Sequence, residues 1–165
     1  MKITIAGCGD AFSSGGRFHT CFYLDYPGGT ALLDCGATSV TALKRQGLRP
    51  EAADTVLITH PHGDHMGGLP FLMIDRAFRA GKLSPLRLAG PVGMDARLEA
   101  LSAALYPGAW RKMPFDIQIT EFMPGHGGEV AGLDITTEAM DHPAGAPSLG
   151  YRIEADGKVL AFTGD

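Results

Sequence analysis

The hydrophobic pattern divides the chain into short elements separated by glycine-rich turns. Residues 2–6 (KITIA) alternate with β-branched positions and read as a strand, after which Gly7, Gly9, Gly15 and Gly16 punctuate a loop. Thr20–Asp25 and Thr30–Asp34 read as two strands of a hairpin turned at Pro27-Gly28-Gly29. A helix is predicted from near Thr38 to Gly47, with Val40, Leu43 and the alanines on its apolar side. Asp54–Thr59 is a short apolar run, closer to a strand buried on both faces than to an alternating one. Leu69–Ala80 has helical spacing at Leu69, Leu72, Met73 and Ala77 and stops at Gly81. Pro85–Ala89 reads as a strand, and Gly93–Leu105 as a helix with Met94, Leu98, Leu101 and Leu105 on one face. Strands are predicted near 115–122, 130–138, 149–155 and 158–162.

Mixed strands and helices without strict alternation predict an α/β or α+β sandwich in one domain, residues 1–165. Composition agrees: 45% hydrophobic and 19% charged residues suit a packed domain, not a disordered or fibrous chain. No apolar run approaches the ~20 residues a spanning helix needs. Met1-Lys2-Ile3 leads straight into a strand, so neither a signal peptide nor a membrane anchor is expected. With 14 basic and 18 acidic residues the net charge is −4, the wrong sign for nucleic-acid binding by bulk electrostatics. Cys8, Cys21 and Cys35 lack CxxC spacing and read as reduced, buried thiols of a cytoplasmic protein.

The chemistry concentrates in Thr59-His60-Pro61-His62-Gly63-Asp64-His65, which follows the buried run and holds three of the six histidines. In extended chain, residues two apart project to one side, so His60 and His62 can grip one ion. Gly63 then permits a turn, after which Asp64 and His65 can face a second. Imidazole with carboxylate suits Zn²⁺ first, with Mn²⁺ or Fe where oxygen ligands are numerous. Elsewhere, His126 in Pro124-Gly125-His126-Gly127-Gly128 reads as a solvated turn residue. His19, beside the glycine-rich loop, reads as structural with a pocket-lining role as the alternative. Gly7-Cys8-Gly9-Asp10 lacks phosphate-loop spacing. Arg17 is the candidate contact for a substrate anion.

His60-Pro61-His62-Gly63-Asp64-His65 resembles the HxHxDH signature of the metallo-β-lactamase superfamily. Asp34-Cys35-Gly36, Gly67-Gly68-Leu69-Pro70 and Phe162-Thr163-Gly164-Asp165 are similar to motifs of its ribonuclease Z-like branch. The resemblance runs the whole chain. It implies an αββα sandwich with its C-terminal part missing, the chain being cut after the Thr-Gly-Asp motif. It also implies that His60, His62 and His142 hold one metal and Asp64 and His65 a second, with Asp165 between them. His142 is assigned because it precedes Ser148-Leu149-Gly150-Tyr151-Arg152-Ile153, a strand similar to the one that follows the family's third histidine. The second site then lacks the family's last histidine and is expected to be incomplete.

The implied activity is hydrolysis of a small phosphodiester or related ester by a metal-bound hydroxide, with Asp64 also able to take a proton. A glyoxalase II-like thioesterase and a non-catalytic metal-binding or interaction module are the alternatives. Transfer-RNA processing is disfavoured, because only 22 residues lie between His142 and Asp165, with no room for a long basic arm. β-Lactam hydrolysis is disfavoured by the missing leader and by the signature. A sandwich ending at Asp165 would expose apolar sheet, so self-association is expected.

Overall fold

The computed structural model describes residues 1–79, 84–109 and 112–165. Among the described residues, ten strands form two sheets. β1 (Lys2–Gly7), β2 (Cys21–Tyr26) and β3 (Gly29–Leu33) are antiparallel neighbours. β4 (Thr55–Leu57), β5 (Leu86–Pro91) and β6 (Ile117–Phe122) continue the same sheet in parallel, in the order β1-β2-β3-β4-β5-β6. The second sheet is an antiparallel meander, β7 (Gly127–Val130), β8 (Leu133–Ala139), β9 (Leu149–Ala155) and β10 (Lys158–Phe162).

Register sorts the core into two layers. Leu32, Val56 and Leu88 sit opposite one another and face α1 (Ser39–Arg45), α3 (Leu69–Arg79) and α4 (Met94–Leu105). One residue along, Leu33, Leu57 and Ala89 are opposite one another and face Leu133, Ile135, Leu149 and Ile153 of the second sheet. β4 is wholly buried because helices cover one face and the second sheet the other, which explains its continuous apolar run. Three of the four layers of an αββα sandwich are thus present among the described residues. None of the described helices is long and apolar enough to cross a membrane.

Several expectations need correction. The predicted strand 130–138 is largely β8, but β7 before it was not predicted, and the two form a hairpin turned at Ala131-Gly132, both with positive φ (54° and 78°). Alanine rarely adopts that conformation, so no Asn-Gly or Asp-Gly signal marked the turn. The buried face of α4 is Met94, Leu98 and Ser102; Leu105, in its last turn, is 43% exposed beyond the cover of the sheet. Cys8 is exposed, and only Cys21 and Cys35 are buried, all three as free thiols. The expected stop of α3 at Gly81 lies outside the described residues.

Candidate metal centre

The site lies where the parallel strands end. Just past β4 the chain bends at Thr59 and His60 to bring them into the site, and the short helix α2 (Gly63–Met66) turns Asp64 and His65 back toward them. The turn is helical and a side chain on Gly63 would meet nothing, so glycine is not what shapes it. The second sheet supplies the other two groups: His142 in the β8–β9 loop and Asp165 just after β10. Two bonds stitch the sheets together here, Leu149 N–H to the Thr59 carbonyl (2.9 Å) and Tyr151 O–H to the Ile58 carbonyl (2.7 Å).

Two groups of donors result. Nε2 of His60 and Nε2 of His142 each lie 3.1 Å from Nδ1 of His62. Nitrogens bound to one tetrahedral zinc stand about 3.4 Å apart, from Zn–N bonds of about 2.0–2.1 Å. His60, His65 and Asp165 form the second group, every ligand atom within 4.8 Å of the others. His65 Nε2 is 3.2 Å from Asp165 Oδ1 and 3.4 Å from Asp64 Oδ2. His60 belongs to both groups.

A buried carboxylate decides which imidazole nitrogens are free. Asp34 follows β3 with φ 59° and is fully buried. Its Oδ2 accepts from His65 Nδ1–H (2.8 Å), and its two oxygens take the backbone N–H and hydroxyl of Thr59 (2.8–3.1 Å). With its hydroxyl proton given to Asp34, Thr59 Oγ1 accepts from His60 Nδ1–H at 3.0 Å. Both histidines are thereby set as Nδ1–H tautomers with a bare Nε2 lone pair toward the centre, the arrangement that presents imidazole to a metal. His65 Nε2 is buried with no hydrogen-bond partner, as a ligand atom held for a cation would be. The donor set of imidazoles and carboxylates therefore fits divalent ions.

The titration behaviour follows the same geometry. Burial, then the neighbouring His65, His142 and His62, push the His60 pKa down to about 3, so its imidazole is neutral and available. Burial also acts to lower the pKa of His65, but the Asp34 hydrogen bond and the charges of Asp34, Asp165 and Asp64 outweigh it and raise it. Burial raises that of Asp34 against the hydrogen bonds from His65 and Thr59.

Of the residues singled out in the sequence, His60, His62, His142, His65 and Asp165 come together in these groups, and Asp64 adjoins them. Arg17 is exposed on the β1–β2 loop, and the structure does not bring it into either group. His126 is exposed, its Nδ1 3.2 Å from the Pro124 carbonyl. The sequence reading missed the relay through Asp34 and Thr59. Asp34 entered only as part of a motif, although an aspartate ending an apolar strand is a signal in itself.

The family model described as "Anti-Pycsar protein Apyc1" matches residues 1–165. A ribonuclease Z of Anoxybacillus flavithermus is 32% identical over 156 residues, 93% of this chain and 48% of that protein. Among solved structures, the short form of human tRNase Z superposes with a TM-score of 0.82 at 24% identity, covering 100% of this chain and 69% of that one. A diphosphatase of the PhnP family superposes with a TM-score of 0.67 at 17% identity, over 92% of this chain and 61% of that one. At such identities the structures establish a shared fold. The chain spans about half the length of the curated relatives it matches.

Proposed function

Because this chain belongs to the Anti-Pycsar protein Apyc1 family, in the ribonuclease Z-like branch of the metallo-β-lactamase superfamily, we propose that it is a metal-dependent hydrolase of phosphodiesters or related esters. One observation carries the reading: two groups of ligand atoms share His60, and the Asp34–Thr59 relay leaves the Nε2 lone pairs of His60 and His65 bare. His60, His62 and His142 would hold one cation and Asp64 and His65 the other, with Asp165 between them. When bound, such ions lower the pKa of water so that hydroxide is available near neutral pH, and they neutralise charge growing on a phosphoryl oxygen.

The chain's own groups do the rest. Asp34 and Thr59 fix the two imidazoles so that neither reorients during turnover. Asp64, 7% exposed and 3.4 Å from His65 Nε2, would also take a proton during hydrolysis. Arg17, on the exposed loop, is the side chain offered to the charge of the substrate. Zinc suits the imidazole-rich first site, and manganese or iron would be tolerated at the second, where carboxylates dominate. Net charge argued against transfer RNA, but the ribonuclease names of the relatives return RNA phosphodiesters to the substrates that must be tried.

The test begins with metal per chain by elemental analysis, before and after adding zinc or manganese. Hydrolysis of bis(p-nitrophenyl) phosphate, a short RNA and S-lactoylglutathione follows on the same sample. The expected outcome is uptake of two ions and cleavage of a phosphodiester, lost with His62→Ala. Uptake of ions with thioester cleavage alone would replace the reading with the thioesterase one. No uptake would remove the hydrolase.

A further inference from the structure

Resting on the reading of His142 as a metal ligand, we propose that Ser148 is a positioning residue that sets His142 against His60 and His62. The two ligands of the signature enter the centre just past β4, whereas His142 comes from the β8–β9 loop, residues 140–148, which contains neither helix nor strand. A loop residue keeps a fixed place when its backbone is tied to a rigid element. Two bonds within the loop are short in range. His142 N–H donates to the Met140 carbonyl (3.0 Å), and Ala144 N–H donates to the His142 carbonyl (3.0 Å). These fold the loop on itself without locating it against β4.

Ser148 supplies that location. Its hydroxyl donates to the His142 carbonyl at 2.9 Å, and its own carbonyl accepts from Met140 N–H at 2.9 Å. Serine suits the task because a short hydroxyl is a donor that reaches nearby backbone carbonyls. The residue is buried, so water does not compete for the bond. The next residue, Leu149, opens β9 and donates its N–H to the carbonyl of Thr59 (2.9 Å), immediately before His60. Two hydrogen bonds therefore join the ligands: His142 to Ser148 through the hydroxyl, then Leu149 to Thr59 through the backbone. His142 Nε2 stands 3.1 Å from His62 Nδ1, and its ring centroid 4.5 Å from that of His60. Arg97 of α4 meets the same loop from outside, at the Gly145 carbonyl, and leaves His142 itself untouched.

Ser148→Ala removes the hydroxyl and keeps every backbone bond. Zinc affinity, measured by competition with a chromophoric chelator, is expected to fall about tenfold, the lower end of the loss produced by removing outer-shell partners of metal ligands. A double-mutant cycle with His142→Ala separates positioning from general weakening of the fold. If Ser148 acts through His142, Ser148→Ala costs nothing further in the His142→Ala background. Imidazole NMR of the ion-free protein gives a second readout: Ser148→Ala is expected to shift the His142 ring signals and leave those of His65 in place. Equal zinc affinity of the native protein and Ser148→Ala overturns the proposal, as does the same loss in both backgrounds or a shift of every histidine alike. A His142→Ala variant that binds zinc as tightly as the native protein overturns the ligand reading and this inference together. Weaker binding by His142→Ala with no change in Ser148→Ala overturns the inference alone.

Discussion

Asp34 is the residue on which the geometry of the centre turns, although it would touch neither metal. It fixes His65 directly and His60 through the Thr59 hydroxyl, so its loss frees two rings at once. Asp34→Ala is expected to lower zinc affinity by about 10–100-fold, measured by competition with a chromophoric chelator. A second prediction concerns protons in the ion-free protein. His60 resists protonation until about pH 3, whereas the unfolded chain takes up that proton below its ordinary value of about 6.5. The unfolded state thus binds more protons between those limits, and His60 drains stability as the pH falls from about 6.5 to 3. His65 moves the other way: its raised pKa adds stability at low pH that is lost as the pH climbs through that value. Imidazole NMR of the chelator-treated protein should show His60 neutral throughout the range in which His65 titrates.

At the scale of elements, the device that matters is borrowed capping. The N-terminus of α4 has Gly93 at its cap position and no side-chain cap of its own. Glu121 from β6 supplies one, its Oε1 accepting from the backbone N–H of Gly93 (3.0 Å) and of Asp95 (2.9 Å). The bond holds the helix to the sheet as well as capping it. Glu121→Ala is expected to cost about 1 kcal/mol, read from a shift in the urea midpoint. The same helix reaches the metal loop, since Arg97 donates to the Gly145 carbonyl at 2.7 Å, beside His142. Helices and ligand loops are therefore coupled through few bonds.

Across the whole molecule, the two sheets differ in width. Phe162 of β10 stacks edge-on against Phe22 of β2, ring centroids 5.1 Å apart, so the second sheet ends over β2. β1 lies beyond it. Ile3 and Ile5 pair with Leu24 and Phe22, share their inward face, and are 41% and 55% exposed for want of a strand above them. β10 pairs only with β9 among the described strands, so an open edge and an apolar ledge adjoin. The 165-residue chain is expected to self-associate as its concentration rises, by light scattering, and Ile5→Lys to shift it toward monomer. A native chain that stays monomeric would show that the ledge is tolerated in water.

Much of this was legible in the sequence where the information is local. The apolar run before His60 predicts a buried strand, which the structure has, and the spacing predicts that His60 and His62 meet, which they do at 3.1 Å although the chain bends there and is not extended. The Pro27-Gly28 turn and the helices that begin near Thr38, Leu69 and Gly93 likewise follow from residues a few positions apart. What the chain does at long range had to come from the fold. That Asp34 meets Thr59 and His65, that His142 meets His62, and that His19 leans on Gly36 beside Asp64 are contacts across 17–80 positions. Periodicity specifies which face of an element is apolar, but not which elements end side by side. That is decided when two sheets bury their facing residues together, and only then do the ends of β3, β4, β8 and β10 converge on one site.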